Sequence, residues 1–206
     1  KKGFFDLVVV PVENSIEGTV NVTQDYLITL PSINILAEIC LIIEHHLLTK
    51  FSEDLKDIKA VYSHPQALAQ CYQFLQNHLQ HAILYHTNST AEAAQLVSKQ
   101  NGQVAAISSI RAARKYNLKV QSKKIHDFKG NKTRFLVLGK QIPNFPADIT
   151  NSNLLKTSIV VALASNKPGG LYEILGEFTY ASLDLTRIES RPTKKELGEY
   201  LFIIDF

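Results

Sequence analysis

Short runs rich in Val and Ile recur along this chain, and most are followed by a segment with helical apolar spacing. That alternation constrains the fold more than any other feature, because strand–helix–strand successions stack as α/β layers. Residues 6–12, DLVVVPV, form a buried-strand pattern closed by Pro11 and the polar trio Glu13, Asn14 and Ser15. Ligands in open α/β sheets sit beyond the carboxyl ends of strands, which draws attention to that trio. Residues 35–47 carry a second strand, with Ile39, Leu41 and Ile43 on one face, and residues 60–62 a third. Ser63-His64-Pro65-Gln66 has capping-box spacing, with Ser63 the expected N-cap and Pro65 in the first turn. Leu68, Cys71 or Tyr72, Leu75 and Leu79 continue it as one helix. Ser89-Thr90-Ala91-Glu92 repeats the capping box, and Gly102 is the expected stop of the helix that follows. Residues 104–107 read as a strand, 109–116 as a helix, and 120–125 and 134–138 as strands.

The pattern breaks at residues 141–153, where two prolines, three asparagines and weak periodicity mark a linker. A compact β-α-β-β succession follows. Residues 157–164 are the first strand, and Pro168 opens a helix in a position proline tolerates. Leu171, Ile174, Leu175 and Phe178 make its apolar stripe, and residues 183–190 and 199–206 are two more strands.

With 45% hydrophobic and 20% charged residues, the chain has globular and not disordered composition. No apolar run reaches the roughly 18 residues of a membrane span. Cys40 and Cys71 sit in apolar patterns as buried thiols, too sparse for a disulfide framework or metal site, and fit a reducing cytoplasm. The net charge of +3 suits a small anionic substrate. The basic stretch over residues 111–134 lacks any nucleic-acid-binding motif and reads as a solvated face with a mild attractive field. The chain has no methionine, so Lys1 is read as an internal position, and the terminal strand likewise reads as cut.

Three polar clusters lie beside expected strands: Glu13-Asn14-Ser15, Ser63-His64-Pro65-Gln66 and Asn131-Lys132-Thr133-Arg134-Phe135. Each has a structural reading as well as a chemical one. Asn14 and Ser15 can cap or turn, Ser63 and Gln66 can cap each other, and Asn131 after Gly130 can make a turn. No metal-ligand cluster or phosphate loop is evident, and no cofactor is implied.

The runs VVVPVENSIEGTVNVTQDYL, VYSHPQALAQC, STAEAA and NKTRF occur in the order found in prephenate dehydratases. PGGLYEIL, RIESRP and GEYLFIIDF then resemble that family's ACT domain. The resemblance implies a two-lobed α/β catalytic domain, similar to type II periplasmic-binding folds, over residues 1–140. It implies a ferredoxin-like α+β ACT domain over residues 154–206. Against the family's pattern, the opening strand with its GPxGT-like loop and the last helix and strand of the ACT domain are missing.

The implied reaction converts prephenate to phenylpyruvate with loss of water and carbon dioxide, in the cytoplasm and without a cofactor. Thr133, in the TRF motif, is the residue most closely tied to catalysis. Asn14, Ser15, Ser63, Gln66, Asn131, Arg134 and Phe135 are carried over as substrate-binding residues, with Glu13 as one that orients its neighbours. Arg134 offers a carboxylate-matching fork or a supporting role behind the site. His64 reads as structural in the turn before the helix. His45, His46, His78, His81, His86 and His126 have no evident partner and read as surface or packing residues.

Phenylalanine is implied as a feedback inhibitor bound between two ACT domains of a homodimer or homotetramer. Gly169, Gly170 and Leu171, with Glu189, Ser190, Arg191 and Pro192, are the corresponding residues. Gly170 stands where the family usually has Ala, and Asp184 where it often has Asn, so the strength of feedback is open. Arogenate dehydratase shares these motifs, and a phenylalanine-binding fragment without turnover is the reading from another class.

Overall fold

The computed structural model describes residues 5–30, 32–51, 54–141, 155–163, 167–194, 196 and 198–206. The chain divides into two compact units, Lys1–Gln141 and Ile142–Phe206. Among the described residues no helix is long and apolar enough to cross a membrane.

In chain order the first unit contains β1 (Leu7–Asn14), β2 (Gly18–Thr19), α1 (Asn21–Thr29), β3 (Asn34–Ile42), β4 (His46–Thr49) and β5 (Ala60–Ser63). There follow α2 (Pro65–Ala69), α3 (Tyr72–His78), β6 (Ile83–His86), α4 (Thr90–Lys99), β7 (Val104–Ser108), α5 (Ile110–Lys115), β8 (Lys119–Ser122) and β9 (Lys132–Gly139). They form two sheets, ordered β2-β1-β9-β3 and β6-β5-β7-β4-β8. The first is antiparallel throughout. In the second, β5 runs parallel to β6 and β7, and β4 antiparallel to β7 and β8. The chain passes from the first sheet to the second through residues 43–45 and returns through residues 123–131.

Strands β4, β5 and β7 in the middle of the second sheet are buried on both faces, which is why they are apolar at odd and even positions alike, while the edge strand β6 is exposed. Leu47, Val61, Ala105 and Ile107 face Leu68, Cys71, Leu75 and Leu79 of the α2–α3 region. Leu48 and Ala106, one residue out of phase, face Ala93, Ala94 and Val97 of α4 and Ala112 and Ala113 of α5. Each fully buried Leu or Val side chain contributes about 1.5–3 kcal/mol. In the first sheet Val12, Leu136 and Leu138 pack with Leu27 from α1 and Ile33 after it.

The expected strand over residues 35–47 is two strands in different sheets, because Ile43, Glu44 and His45 form the crossover between them. Helix α1 has no counterpart in the sequence reading. It lacks a side-chain N-cap, and Val22 and Tyr26 stay exposed, so it carries no clean apolar stripe. The single helix expected after residue 63 is broken at Gln70 and Cys71, and the Asp127 carboxylate accepts the Gln73 N–H near the start of α3 at 3.2 Å. His64 and not Ser63 caps α2, its Nδ1 accepting the Gln66 N–H at 3.3 Å, with Pro65 at the first helical position. Ser89 caps α4 as expected, and the Glu92 carboxylate reaches back to the Asn88 N–H.

The second unit contains β10 (Ser158–Ala162), α6 (Gly170–Tyr180), β11 (Arg187–Pro192) and β12 (Tyr200–Asp205), a small antiparallel sheet ordered β10-β12-β11. Phe178 packs edge-on against Phe206 at 5.2 Å, and Ile203 and Ile204 are buried. Pro168 lies in the turn before α6. Gly169 is the N-cap, at φ +88°, a left-handed backbone that costs any residue with a Cβ. The strand expected over residues 183–190 starts only at Arg187, after Ser182 turns the chain at φ +55°. The linker expected over residues 141–153 lies, apart from Gln141, outside the described residues.

Candidate active site

The ends of β1 and β9 bring two of the three polar clusters together. The register pairs Asn14 with Thr133 and Glu13 with Arg134. Side chains alternate between faces along a strand, so Asn14, Thr133 and Phe135 share one face while Glu13 and Arg134 point to the other.

Asn14 is fixed from both ends. Its Oδ1 accepts the Ile16 and Glu17 N–H groups at 3.0 and 3.1 Å, closing an Asx-type turn. That orients its Nδ2, which donates to Asn131 Oδ1 at 2.7 Å, to Thr133 Oγ1 at 2.9 Å and more weakly to the Lys132 carbonyl at 3.3 Å. Thr133 Oγ1 therefore accepts from Asn14 and keeps its own hydrogen for another acceptor. Ser15 extends the ladder: its N–H donates to the Lys132 carbonyl and its Oγ accepts the Lys132 N–H, both at 2.9 Å. Its hydroxyl also lies 3.5 Å from Asn131 Oδ1.

Asn131 is buried and ties this cluster to the second sheet. Its Nδ2 donates to Gln70 Oε1 at 3.2 Å. Gln70, also buried, donates its Nε2 to Glu17 Oε1 at 3.2 Å and has His45 Nε2 3.0 Å from its Oε1. Burial of the ring holds the His45 pKa below its ordinary value, although the Gln70 bond opposes that shift. Burial likewise lowers His46, which lies 3.7 Å from Glu44. Glu44 is held low chiefly by its hydrogen bond to Lys124 at 2.8 Å.

Arg134 faces away from Thr133. Its Nε donates to Glu38 Oε2 at 2.7 Å, and another of its nitrogens lies 3.7 Å from Glu13 Oε2. Ser63 is fully buried and donates its hydroxyl to the Ile107 carbonyl at 2.7 Å. The Gln66 side chain is exposed and stands outside the amide cluster. Phe135 is half-buried, opposite Pro11 and Ile39.

Gln70 and His45 are the members that sequence reading missed. Gln70 sits one helical turn after Gln66, and nothing in the local pattern distinguishes the two glutamines. His45 and His46 are not surface residues, and both have partners. In the second unit, Glu189 and Arg191 are half-buried on one face of β11, while Ser190 and Pro192 are exposed on the other. Gly170 is buried, and a Cβ there would meet the Leu163 side chain at 3.0 Å, so an alanine needs that chain to shift.

A family model described as prephenate dehydratase matches residues 1–143. A prephenate dehydratase of Methanocaldococcus jannaschii is 46% identical over 96% of this chain and 70% of its own length. The crystal structure of an Arthrobacter aurescens prephenate dehydratase in complex with L-Phe aligns at TM-score 0.80 and 34% identity, over 97% of this chain and 65% of that one. A structure described as GqqA, a novel type of quorum quenching acylase, aligns at TM-score 0.77 and 25% identity, over 97% of this chain and 70% of that one. The chain thus spans 65–70% of the length of these three proteins. With a family model over more than half its length and a relative 46% identical, the chain belongs to the prephenate dehydratase family, enzymes of phenylalanine biosynthesis.

Proposed function

We propose that the first unit is a prephenate dehydratase catalytic domain, a two-lobed α/β fold of the type II periplasmic-binding kind. Its reacting group is the Thr133 hydroxyl. The observation that carries this reading is the Asn14 Nδ2 to Thr133 Oγ1 hydrogen bond, which leaves the threonine hydrogen free to donate. Prephenate places a carboxylate and a hydroxyl on opposite carbons of its ring. The ring–carboxylate bond breaks and releases carbon dioxide, and its electron pair enters the ring. The C–O bond opposite then breaks. Thr133 gives its hydrogen to the departing hydroxide, forming water, and recovers a proton from solvent. Aromatisation supplies the driving force, so the protein has mainly to orient the dianion and assist departure.

Asn14, Ser15 and Asn131 present amide and hydroxyl groups beside Thr133, and Phe135 offers apolar surface for the ring on the same face. Arg134, held by Glu38 and Glu13 on the opposite face, positions β9 and does not reach substrate. Ser63 acts from behind the site through the Ile107 carbonyl, and Gln70 takes the role that Gln66 was expected to fill.

The second unit is the ACT domain, a phenylalanine sensor that acts as part of a homodimer or homotetramer. Its β-α-β-β order and the L-Phe bound to the Arthrobacter relative support this. The residues that take phenylalanine are the turn Gly169-Gly170-Leu171 and the strand Glu189-Ser190-Arg191-Pro192. Gly169 and Gly170 allow close approach to the backbone at the start of α6, where N–H groups favour a carboxylate. Assays with prephenate and arogenate in parallel, with and without phenylalanine, test both halves. Turnover of prephenate suppressed by phenylalanine is expected. Preference for arogenate would change the substrate, and phenylalanine binding without turnover would leave only the sensor.

A further inference from the structure

Two crossovers join the sheets of the first unit, residues 43–45 and residues 123–131, and they run side by side. Backbone bonds link them: the Ile43 N–H donates to the Asn131 carbonyl at 2.8 Å, and the Ile125 N–H to the His45 carbonyl at 2.9 Å. Beside these run two bonds of a different kind. The His45 N–H donates to His126 Nδ1 at 3.3 Å, and the Lys124 N–H donates to His46 Nδ1 at 3.2 Å. A ring nitrogen accepts only while it carries no hydrogen. His46 and His126 are therefore neutral, with their hydrogens on Nε2.

The His45 ring is fixed by a second chain of reasoning. A carboxylate only accepts, so Glu17 turns the Gln70 Nε2 toward itself. Gln70 Oε1 is left facing Asn131 Nδ2 and His45 Nε2, so the His45 hydrogen is on Nε2. One connected path then runs from His126 through the His45 backbone and ring to Gln70, Asn131, Asn14 and Thr133.

We infer that His45 and His126 are positioning residues of the dehydratase site: His126 anchors the crossover through the His45 N–H, and the His45 ring holds the Gln70 amide that orients Asn131. This rests on the dehydratase reading of the Asn14–Thr133 site. It goes beyond that reading by placing the control of the site at the two crossovers. Neither residue touches substrate. The groups around the three imidazoles are Glu44, Lys123 and Lys124 from the crossovers and Gln70 with Glu17 on the far side. A hydrogen on His126 Nδ1 would face the His45 N–H and break the anchor.

Two kinds of measurement on the 206-residue chain test the inference. Long-range proton–nitrogen NMR of the imidazoles should show the hydrogen on Nε2 in His45, His46 and His126. A hydrogen on Nδ1 of His126 or His45 would overturn the inference whether or not the chain turns over prephenate. His45→Gln keeps a donor near the Nε2 position, and His45→Leu removes it. With Leu the Gln70 and Asn131 side-chain amide signals should move and kcat should fall about tenfold with little change in KM, while Gln restores both. His126→Phe removes the acceptor of the His45 N–H and should move the same amide signals and lower kcat with little change in KM, while His126→Asn, which keeps an acceptor, should restore both. Amide signals unmoved in His45→Leu or in His126→Phe would contradict the inference. A parent chain without prephenate turnover would instead count against the dehydratase reading, with the tautomers and amide signals still deciding this one.

Discussion

The Asn14 amide donates to Thr133 Oγ1 at 2.9 Å across the β1–β9 pair, while its own Oδ1 is held by the Ile16 and Glu17 N–H groups. One side chain thereby closes the turn and orients the Thr133 hydroxyl. Asn14→Asp separates these functions. The carboxylate can still accept both N–H groups, so the turn is kept, but the donor to Thr133 and Asn131 is lost. Folding is expected to survive, and kcat for prephenate to fall about ten- to a hundredfold, since the lost bond to the Thr133 hydroxyl alone is worth about 1–3 kcal/mol. Steady-state rates alongside thermal melts would check this; an unchanged kcat would show that Asn14 serves only the turn.

Arg134 was open to two readings in the sequence, and its geometry favours support of β9 from behind the site. Arg134→Met should lower stability by about 1 kcal/mol through loss of the Glu38 and Glu13 contacts, with KM for prephenate nearly unchanged. A large rise in KM without loss of stability would return Arg134 to the substrate side.

His45 and His46 both have pKa values lowered by burial from the ordinary 6.5. The unfolded chain therefore binds more protons than the folded one as pH falls below 6.5, and stability rises with pH through that window. Their contribution is fully present above pH 6.5 and is lost progressively as pH falls through the folded values. Denaturant midpoints at pH 7.5 and 5.5 should show the loss in the parent and a smaller one in His45→Gln. Equal losses would mean that other groups govern the acid response.

Cys71 is buried and its thiol is pushed up to about 12, mainly by burial and secondarily by Asp127, while Cys40 is exposed. An aromatic disulfide reagent should therefore titrate one thiol in the native chain and two in denaturant, because the thiolate is the reactive form. Rapid reaction of both in the native state would show that the α2–α3 core opens readily.

Much of the architecture was legible because periodicity and caps report local structure. Strands β1, β5, β7 and β9 and the Ser89 cap were read from apolar runs and capping residues alone. The division of residues 35–47 between two sheets was not legible, since a continuous apolar run does not reveal which sheet each half joins. Helix α1 lacked both a cap and a clean stripe. At the site, Asn14, Ser15, Asn131 and Thr133 stood out as polar residues beside strands, but caps and turns explained them as well, and only the resemblance to prephenate dehydratases gave them a chemical role. Gln70 and His45 escaped because their roles arise from contacts across 61 and 25 residues of sequence, which no local pattern encodes. Ser63 was expected at a helix start and is instead turned inward, which only the register of β5 beside β7 determines.

The most direct test is phenylpyruvate formation from prephenate, followed by absorbance in base, for the parent chain and for Thr133→Val. Valine keeps the shape of threonine and removes the hydroxyl. The parent is expected to form phenylpyruvate and the variant to turn over about a hundred- to ten-thousandfold more slowly with an unchanged melting temperature. Equal turnover in the two would contradict a catalytic role for the Thr133 hydroxyl and with it the central claim.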